Sequence, residues 1–173
     1  MSDHNIPGGK PAEGEFVMTR VFDAPRDRVF KAWTDADDLK KWWGPKGFKV
    51  LHSKVDLRPG GLFLYGMESP TGEPMWGKFT YREIVRPEKL VYVVSFSDPQ
   101  GGTTRHPMAP NWPLEMLNTT YFEAEGNKTR LTLRAQAINC TAEERQTFIQ
   151  SHESMRGGWG GTMDQFAAYL AQR

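Results

Sequence analysis

Two side chains in this sequence have the types that acid–base chemistry needs inside an apolar domain. Glu83 lies in the alternating run 76–85 and shares the phase of Phe79 and Tyr81, so the pattern predicts that its carboxyl group faces the core. A buried carboxyl group requires a basic partner or a raised pKa. His152 lies on the apolar stripe of a predicted helix, and the two residues are candidates for a general acid and a general base. The alternatives are that Glu83 reaches solvent at the strand end and that His152 is a hydrogen-bonded core residue.

The remaining reactive residue types form no recognisable site. His106 lies in a proline-rich connection where it could reach a cavity mouth, and is interpreted as a solvated loop residue. Cys140 is the single cysteine, stands at a strand–helix junction and is interpreted as structural. No pair of histidines or carboxylates has metal-ligand spacing on a helix, and the glycine run 157–161 is not followed by the Lys-Ser/Thr of a phosphate loop. The sequence therefore predicts neither a metal nor a cofactor.

Two adjacent tryptophans, Trp42 and Trp43, end a short predicted helix just before Gly44 and Pro45. Two neighbouring indoles at a helix end are not expected to enter one core together. We therefore expect Trp43 to lie at the mouth of an internal cavity and Trp42 to pack outward on the helical cap. The alternative is that both residues cap a filled core.

The elements that must position these residues follow one clear order along the chain. A strand pattern over residues 15–23 precedes two short predicted helices, the first with Trp33 on its apolar side and the second over residues 35–41. Alternating runs separated by glycine turns then predict an antiparallel meander. In one of these runs, LFLYGM, both strand faces are apolar, which indicates a homodimer or a covered outer face.

The C-terminal segment predicts a long amphipathic helix. A capping box formed by Thr141 and Glu144 begins a helix of about thirty residues. Its apolar stripe recurs at steps of three and four: Phe148, His152, Met155, Trp159, Met163, Phe166 and Leu170. A single helix of this kind must bury its stripe against the sheet, so the sequence predicts an α+β domain.

Four glycines surround Trp159 within this stripe: Gly157, Gly158, Gly160 and Gly161. Together they cost a helix about 4 kcal/mol relative to alanine. One interpretation is a loop between two helices. The other is a continuous helix in which side chains here would collide with the sheet or close an intended space. We favour the continuous helix, because the stripe keeps its phase across the glycines. A helix held away from a sheet leaves a void, and large apolar voids bind apolar ligands.

Composition and charge exclude several classes of protein. The 173 residues include 22 basic and 21 acidic side chains, which argues against an electrostatic nucleic-acid binder. No apolar run reaches membrane-spanning length, and the first residues lack the features of a secretory signal. With one cysteine, a reducing cytoplasm is the simplest compartment.

Five segments resemble a known family in their order and spacing. They are FDAPRDRVFKAWTDADDLKKWWGP, VDLRPGG, GKFTYREIVRPEKLVY, KTRLTL and HESMRGGWGGTMDQFAAYL, and they resemble the homologues of the activator of heat-shock protein 90 ATPase, in the START-like (SRPBCC) superfamily. The resemblance covers about residues 16–172. It implies the helix-grip fold, in which a curved antiparallel sheet is wrapped around a long C-terminal helix. We expect one such domain over residues 15–173, preceded by a flexible tail over residues 1–14. A chaperone partner is doubtful, because no second, chaperone-binding domain is expected in this chain.

The sequence favours a non-enzymatic carrier or sensor of a small hydrophobic or aromatic ligand, since many apolar residues and few polar ones are predicted to converge. The expected cavity residues are Trp43, Phe63, Tyr65, Phe79, Tyr81, Tyr92, Phe96, His152, Met155, Trp159 and Met163. Two alternatives stay open. One is a cyclase, dehydratase or hydrolase that uses Glu83 and His152, and the other is a stress-related co-chaperone domain.

Overall fold

Eight strands and four helices make up residues 10–172, the part of the chain that the computed structural model describes. The strands are β1 (Phe16–Phe22), β2 (Lys49–Val55), β3 (Leu62–Glu68), β4 (Pro74–Val85), β5 (Lys89–Ser97), β6 (Thr103–Thr104), β7 (Glu115–Glu125) and β8 (Lys128–Ile138). The helices are α1 (Arg26–Thr34), α2 (Ala36–Trp42), α3 (Ala142–Gln150) and α4 (His152–Ala171). The α+β order and the two short helices after the first strand are as predicted.

The strands form one antiparallel sheet in the order β1-β8-β7-β5-β4-β3-β2, with the short β6 paired to β5. Because β1 pairs with β8, the first and last strands lie side by side at one end of the sheet. Helix α4 packs on the inner face, where the rings of Phe166 and Phe22 lie 4.9 Å apart. This is the helix-grip arrangement, a sheet around a C-terminal helix.

The two short helices begin and end where the local chemistry requires it. Helix α1 follows Pro25, whose missing N–H is harmless at a helix start. The side chain of Asp35 caps α2 by accepting a hydrogen bond from the Asp38 amide at 3.0 Å. Lys40 and Lys41 lie in the last turn of α2, where positive charge is favourable.

The predicted thirty-residue helix is divided at Ser151 into α3 and α4. The capping box of Thr141 and Glu144 is present as predicted. At Ser151 the backbone leaves the helical region, with φ −94° and ψ 1°, and the hydroxyl group donates to the Thr147 carbonyl at 2.7 Å. Such a serine bond competes with the helical backbone. The prediction of one uninterrupted helix was therefore wrong at this position.

The glycines around Trp159 do not interrupt α4, so the prediction of a continuous helix at this point is confirmed. One reason proposed for these four glycines, a collision of side chains with the sheet, is wrong. A Cβ added at Gly157, Gly158, Gly160 or Gly161 would meet nothing within 4 Å, so no collision with the sheet excludes a side chain there. Open space around these positions is what the structure shows instead.

The segment just before β1 contacts the sheet through a buried arginine. Arg134 on β8 is 3% exposed, and its guanidinium donates to Glu15 at 2.8 Å and to the Lys10 carbonyl at 3.1 Å. The tail was predicted to be flexible over residues 1–14, and this stays a prediction; within it, the Lys10 carbonyl accepts from Arg134 and the Ala12 amide donates to the Glu15 carboxylate at 2.9 Å. The rest of the predicted tail, residues 1–9, lies outside the described residues.

Candidate functional site

A cavity of about 500 Å³ lies between the inner face of the sheet and helices α3 and α4. The sheet contributes side chains from β3, β4, β5, β7 and β8, among them Tyr65, Phe96 and Ala135. The helices contribute the opposite wall, which includes Met155 and Trp159. Its size is that of a typical small-molecule site, and most of the wall is apolar.

Both tryptophans of the α2 end are buried, which corrects the expectation that Trp42 packs outward. Trp42 donates its indole N–H to the Ala32 carbonyl at 2.9 Å and lies 4.3 Å from the Phe166 ring. Trp43 is the C-cap of α2 and has extended backbone angles, so its side chain diverges from that of Trp42. The helix end at this point is what allows both indoles to enter the interior.

Trp43 is the boundary between the filled core and the cavity. Its ring lies 5.2 Å from Phe79 and 6.0 Å from Phe63 on the filled side. On the other side it lines the cavity together with Tyr65 and Trp159, whose rings are both 5.6 Å from it. The cavity therefore occupies only part of the space between sheet and helix.

This division determines where the eleven expected cavity residues lie. Trp43, Tyr65, Phe96, Met155 and Trp159 line the cavity. Phe63, Phe79, Tyr81, Tyr92 and Met163 are buried in the filled core beyond Trp43, with the ring of Tyr92 stacked on Phe79 at 4.3 Å. His152 does not line the cavity either, as described below.

The β6–β7 connection supplies a further part of the cavity wall. His106, Ala109 and Trp112 line the cavity from this connection, and the His106 ring lies 4.7 Å from Phe96. His106 is a half-buried residue of this loop, and its position at the cavity wall is the alternative that the sequence analysis had given for it. Arg105, the residue before it, donates to the Glu144 carboxylate at 2.5 Å and ties the connection to α3.

The polar groups of this wall are hydroxyls, an amide, an imidazole and a phenol, and none of the described residues that line it is an aspartate, glutamate, lysine or arginine. Tyr65 lines the cavity, and burial raises its pKa to about 12, although the neighbouring Trp43 indole N–H acts in the opposite direction. Burial also lowers the pKa of His106, whose Nδ1 accepts a hydrogen bond from the Met108 amide at 3.0 Å. Both residues are therefore uncharged near neutral pH. Asn118 is 3% exposed and also lines the cavity.

The two candidate acid–base residues lie apart from the cavity. Glu83 has a side chain that is 50% exposed and forms an ion pair with Lys89 at 2.6 Å. A bulge between Tyr81 and Glu83 shifts the register of β4, so Glu83 pairs with Val91 and leaves the phase of the inward residues. The alternation rule failed for Glu83 for this reason.

His152 begins α4 and is packed between two phenylalanines. Its ring lies 5.6 Å from Phe16 and 5.2 Å from Phe148, both edge-on. Its Nε2 is buried and has no hydrogen-bond partner among the described residues. His152 is therefore a half-buried residue packed against core phenylalanines, and its Nε2 lacks the hydrogen bond expected of it. Neither it nor Glu83 supplies an acid or base to the cavity.

Other kinds of site are not found within residues 10–172. No group of three or more histidine, cysteine or carboxylate side chains is placed to hold a metal ion there. None of the helices in that part of the chain has the length and apolarity needed to cross a membrane. Cys140 is a half-buried free cysteine at the β8–α3 junction, packed against the core.

Sequence analysis missed several residues of the cavity wall. Met116 and Asn118 lie on β7 in the same phase as the buried Thr120 and Phe122, so the alternation of that strand was a usable signal. Trp112 and His106 carried no such signal, because they lie in an irregular proline-rich connection. Only the folded path of that connection brings them to the cavity.

Comparisons with known proteins agree with this geometry. The family model described as Activator of Hsp90 ATPase homolog 1-like protein matches residues 23–171. A search of curated proteins finds no match.

Solved structures of bacterial proteins share the fold over nearly the whole chain. A solution structure from Arthrobacter aurescens has a TM-score of 0.77 at 25% identity, covering 95% of this chain and 90% of that one. A crystal structure from Nitrosomonas europaea has a TM-score of 0.71 at 26% identity, covering 93% and 96%. The AHSA1 protein from Silicibacter pomeroyi, at 21% identity and a TM-score of 0.66, covers 91% and 97% and is similar in fold.

Proposed function

The chain belongs to the family of Activator of Hsp90 ATPase homolog 1-like proteins, and from this premise we propose that it binds a small hydrophobic or aromatic molecule in its cavity. In this proposal the protein is a carrier or sensor and catalyses no reaction. The observation that carries it is the cavity of about 500 Å³ with a wall built mainly from aromatic, thioether and aliphatic groups. Burying an apolar ligand against such a wall is favourable by about 25 cal/mol per Å² of apolar surface.

The arrangement of chemistry around the cavity supports binding over catalysis. The two candidate acid–base residues, Glu83 and His152, are not among the residues that line it. His106 is the titratable base that does line it, and its Nδ1 already accepts the Met108 amide. A co-chaperone role has no specific observation in its favour here.

The glycines of α4 offer a matched test of this proposal. Gly158 lines the cavity and Gly157 does not, although both have open space around the position of a Cβ. We expect Gly158→Leu to fill the cavity and to weaken binding at least about tenfold, a loss of about 1.4 kcal/mol. Gly157→Leu adds the same side chain to the same helix and should bind as the wild-type protein does.

The measurement is a titration with the apolar probe 1-methylpyrene, followed by energy transfer from tryptophan and by the shift in melting temperature. Trp43 and Trp159 line the cavity and are therefore suitable donors. The proposal is contradicted if the wild-type protein neither binds this probe nor is stabilised by other hydrophobic compounds. It is equally contradicted if the two leucine variants bind alike.

A further inference from the structure

His106 is held in one tautomer by the backbone of its own connection. Its Nδ1 accepts a hydrogen bond from the Met108 amide at 3.0 Å, so this nitrogen carries no proton. In a neutral imidazole the proton then lies on the other nitrogen, Nε2. Because burial lowers the pKa of His106, the ring is neutral near pH 7 and presents an N–H donor at Nε2.

The orientation of the ring directs this donor away from Met108. The two nitrogens lie on opposite edges of the imidazole, and Nδ1 is turned to the amide of Met108, a residue that is 85% exposed and does not line the cavity. The His106 ring itself does line the cavity. Its centroid lies 4.7 Å from that of Phe96 and 6.5 Å from that of Trp112, two other aromatic residues of the wall.

The Nε2 atom of His106 is unpartnered and can still be reached. It donates to no acceptor within the part of the chain that the structure describes, and it is not among the polar atoms that are sealed inside the protein. The Trp43 Nε1 and the Asn118 Oδ1 are such sealed atoms. A donor next to aromatic rings is poorly solvated, so an acceptor on a ligand gains more there than it would in water.

The hydroxyl groups of the helical wall are mostly in use. Thr147 donates to the Glu143 carbonyl at 3.1 Å, and Ser151 donates to the Thr147 carbonyl at 2.7 Å. Thr162 donates to the Gly44 carbonyl at 3.2 Å. These protons are spent on the backbone and are not offered to a ligand.

The other polar side chains of the wall are less suitable donors than His106. The Trp43 indole is turned to the Tyr65 hydroxyl group, and the Asn118 amide is turned to the Tyr92 hydroxyl group. Ser154 also lines the cavity, but it is exposed, so water competes for its hydroxyl group.

We propose that His106 determines the specificity of the cavity, and that its Nε2–H binds a hydrogen-bond acceptor, such as a ketone or ester carbonyl oxygen, carried on an apolar body. This inference rests on the proposed function, because it names the class of ligand for the same cavity. A carbonyl oxygen suits a single N–H donor, since it accepts a hydrogen bond and brings neither a proton nor a charge. The aromatic and thioether wall takes up the rest of the molecule.

Two pyrene probes of nearly equal shape test the inference, 1-ethylpyrene and 1-acetylpyrene. They differ in one position, where the first has a methylene group and the second a carbonyl group. At pH 7.5 we expect the wild-type protein to bind 1-acetylpyrene about fivefold more tightly, as one net hydrogen bond implies. Titrations followed by energy transfer from tryptophan give both affinities.

Two variants separate the roles of the ring nitrogens. His106→Asn places a side-chain oxygen near the position of Nδ1, so it can still accept the Met108 amide, but it has no donor at the position of Nε2. It should bind both probes equally. His106→Gln places an amide N–H near the position of Nε2 and should retain the preference for 1-acetylpyrene. Melting curves verify that both variants are folded.

Nuclear magnetic resonance of the imidazole nitrogens gives a readout that a purely structural role would not change. In the wild-type protein the His106 resonances should show an unprotonated Nδ1 and a protonated Nε2. Addition of 1-acetylpyrene should shift the Nε2 resonance more than addition of 1-ethylpyrene does. The spectrum of His106→Asn, which lacks these resonances, assigns them.

The outcomes separate this inference from the proposed function. If 1-ethylpyrene binds and 1-acetylpyrene gains nothing over it, the inference fails and the hydrophobic site stands. If His106→Asn keeps the full preference, another donor such as Ser154 holds the carbonyl group and the assignment of His106 is overturned. A loss of preference in both variants without a shift of Nε2 in the wild-type spectrum overturns it equally. If neither probe binds, the proposed function fails as well.

Discussion

Asp38 is a buried carboxylate that joins three elements. Its side chain, 10% exposed, accepts a hydrogen bond from Lys31 of α1 at 2.8 Å and another from the hydroxyl group of Tyr169 near the end of α4. The Arg28 guanidinium lies 3.8 Å away. Burial by itself raises the pKa of Asp38, but the hydrogen bonds and the two cations outweigh it, so the pKa lies below its ordinary value.

Replacing this carboxylate should destabilise the protein in a pH-dependent way. We expect Asp38→Asn to lower the free energy of unfolding at pH 7 by about 1–3 kcal/mol, since charge-assisted hydrogen bonds are lost. Because the pKa is lower in the folded state, the contribution is complete above the unfolded pKa of about 4 and is lost as the pH falls through the folded pKa. Urea unfolding at pH 7 and pH 3 measures both effects.

Asp37, one residue earlier, is the control for this prediction. It is exposed and lies in the first turn of the same helix, so Asp37→Asn should change stability by no more than about 0.5 kcal/mol. The assignment of Asp38 is contradicted if the two variants are equally stable at pH 7. It is also contradicted if the deficit of Asp38→Asn persists undiminished at pH 3.

At the scale of the element, α4 carries four glycines that no packing contact requires. The positions have room for a side chain and none has a positive φ, whereas Gly77 on β4 faces a different constraint. A Cβ at Gly77 would overlap the hydroxyl group of Tyr65, its cross-strand partner. Glycine is thus needed for close approach in β4 and not in α4.

We expect alanine at Gly157, Gly160 or Gly161 to stabilise the protein by up to about 1 kcal/mol each, because alanine restricts the unfolded chain and the helix accepts it. Gly77→Ala should act in the opposite direction, by about 1–3 kcal/mol, because Tyr65 must move from its position. Thermal and denaturant unfolding measure both. Stabilisation by Gly77→Ala, or a loss of stability in all three α4 variants, would refute this account.

At the scale of the whole molecule, closure of the cavity depends on a connection held to α3. The β6–β7 connection places Trp112 and His106 in the wall, and the Arg105–Glu144 ion pair attaches it. The Thr141 amide and then Arg105 hold the pKa of Glu144 below its usual range. The pair therefore persists at neutral pH and weakens as the pH falls through the folded pKa of Glu144.

Glu144→Gln should loosen this connection without unfolding the domain, because glutamine can still accept the Thr141 amide. We expect faster amide hydrogen exchange over residues 105–112 and weaker binding of 1-methylpyrene. Glu143→Gln, an exposed change in the same helical turn, is the control and should leave both unchanged. Equal exchange in the two variants would show that the ion pair does not hold the connection.

The sequence patterns alone determined the order of elements, the α+β class and the apolar stripe of the C-terminal helices. These depend on residue periodicity, turn residues and caps, which are local properties of the chain. The capping box at Thr141 and the continuity of α4 through its glycines were predictable in this way. The inward position of Trp43, Tyr65 and Phe96 followed from the same patterns.

Only the tertiary structure decided which inward residues face empty space and which fill the core. Phe63 and Tyr65 have the same phase on β3, yet Tyr65 lines the cavity and Phe63 packs in the filled core. The position of the Trp43 ring makes that difference, and it depends on how α2 docks on the sheet. A single bulge placed Glu83 outside, and the path of the connection brought His106 to the cavity wall. Register shifts and loop paths are set by packing between distant segments, so periodicity along the chain does not reveal them.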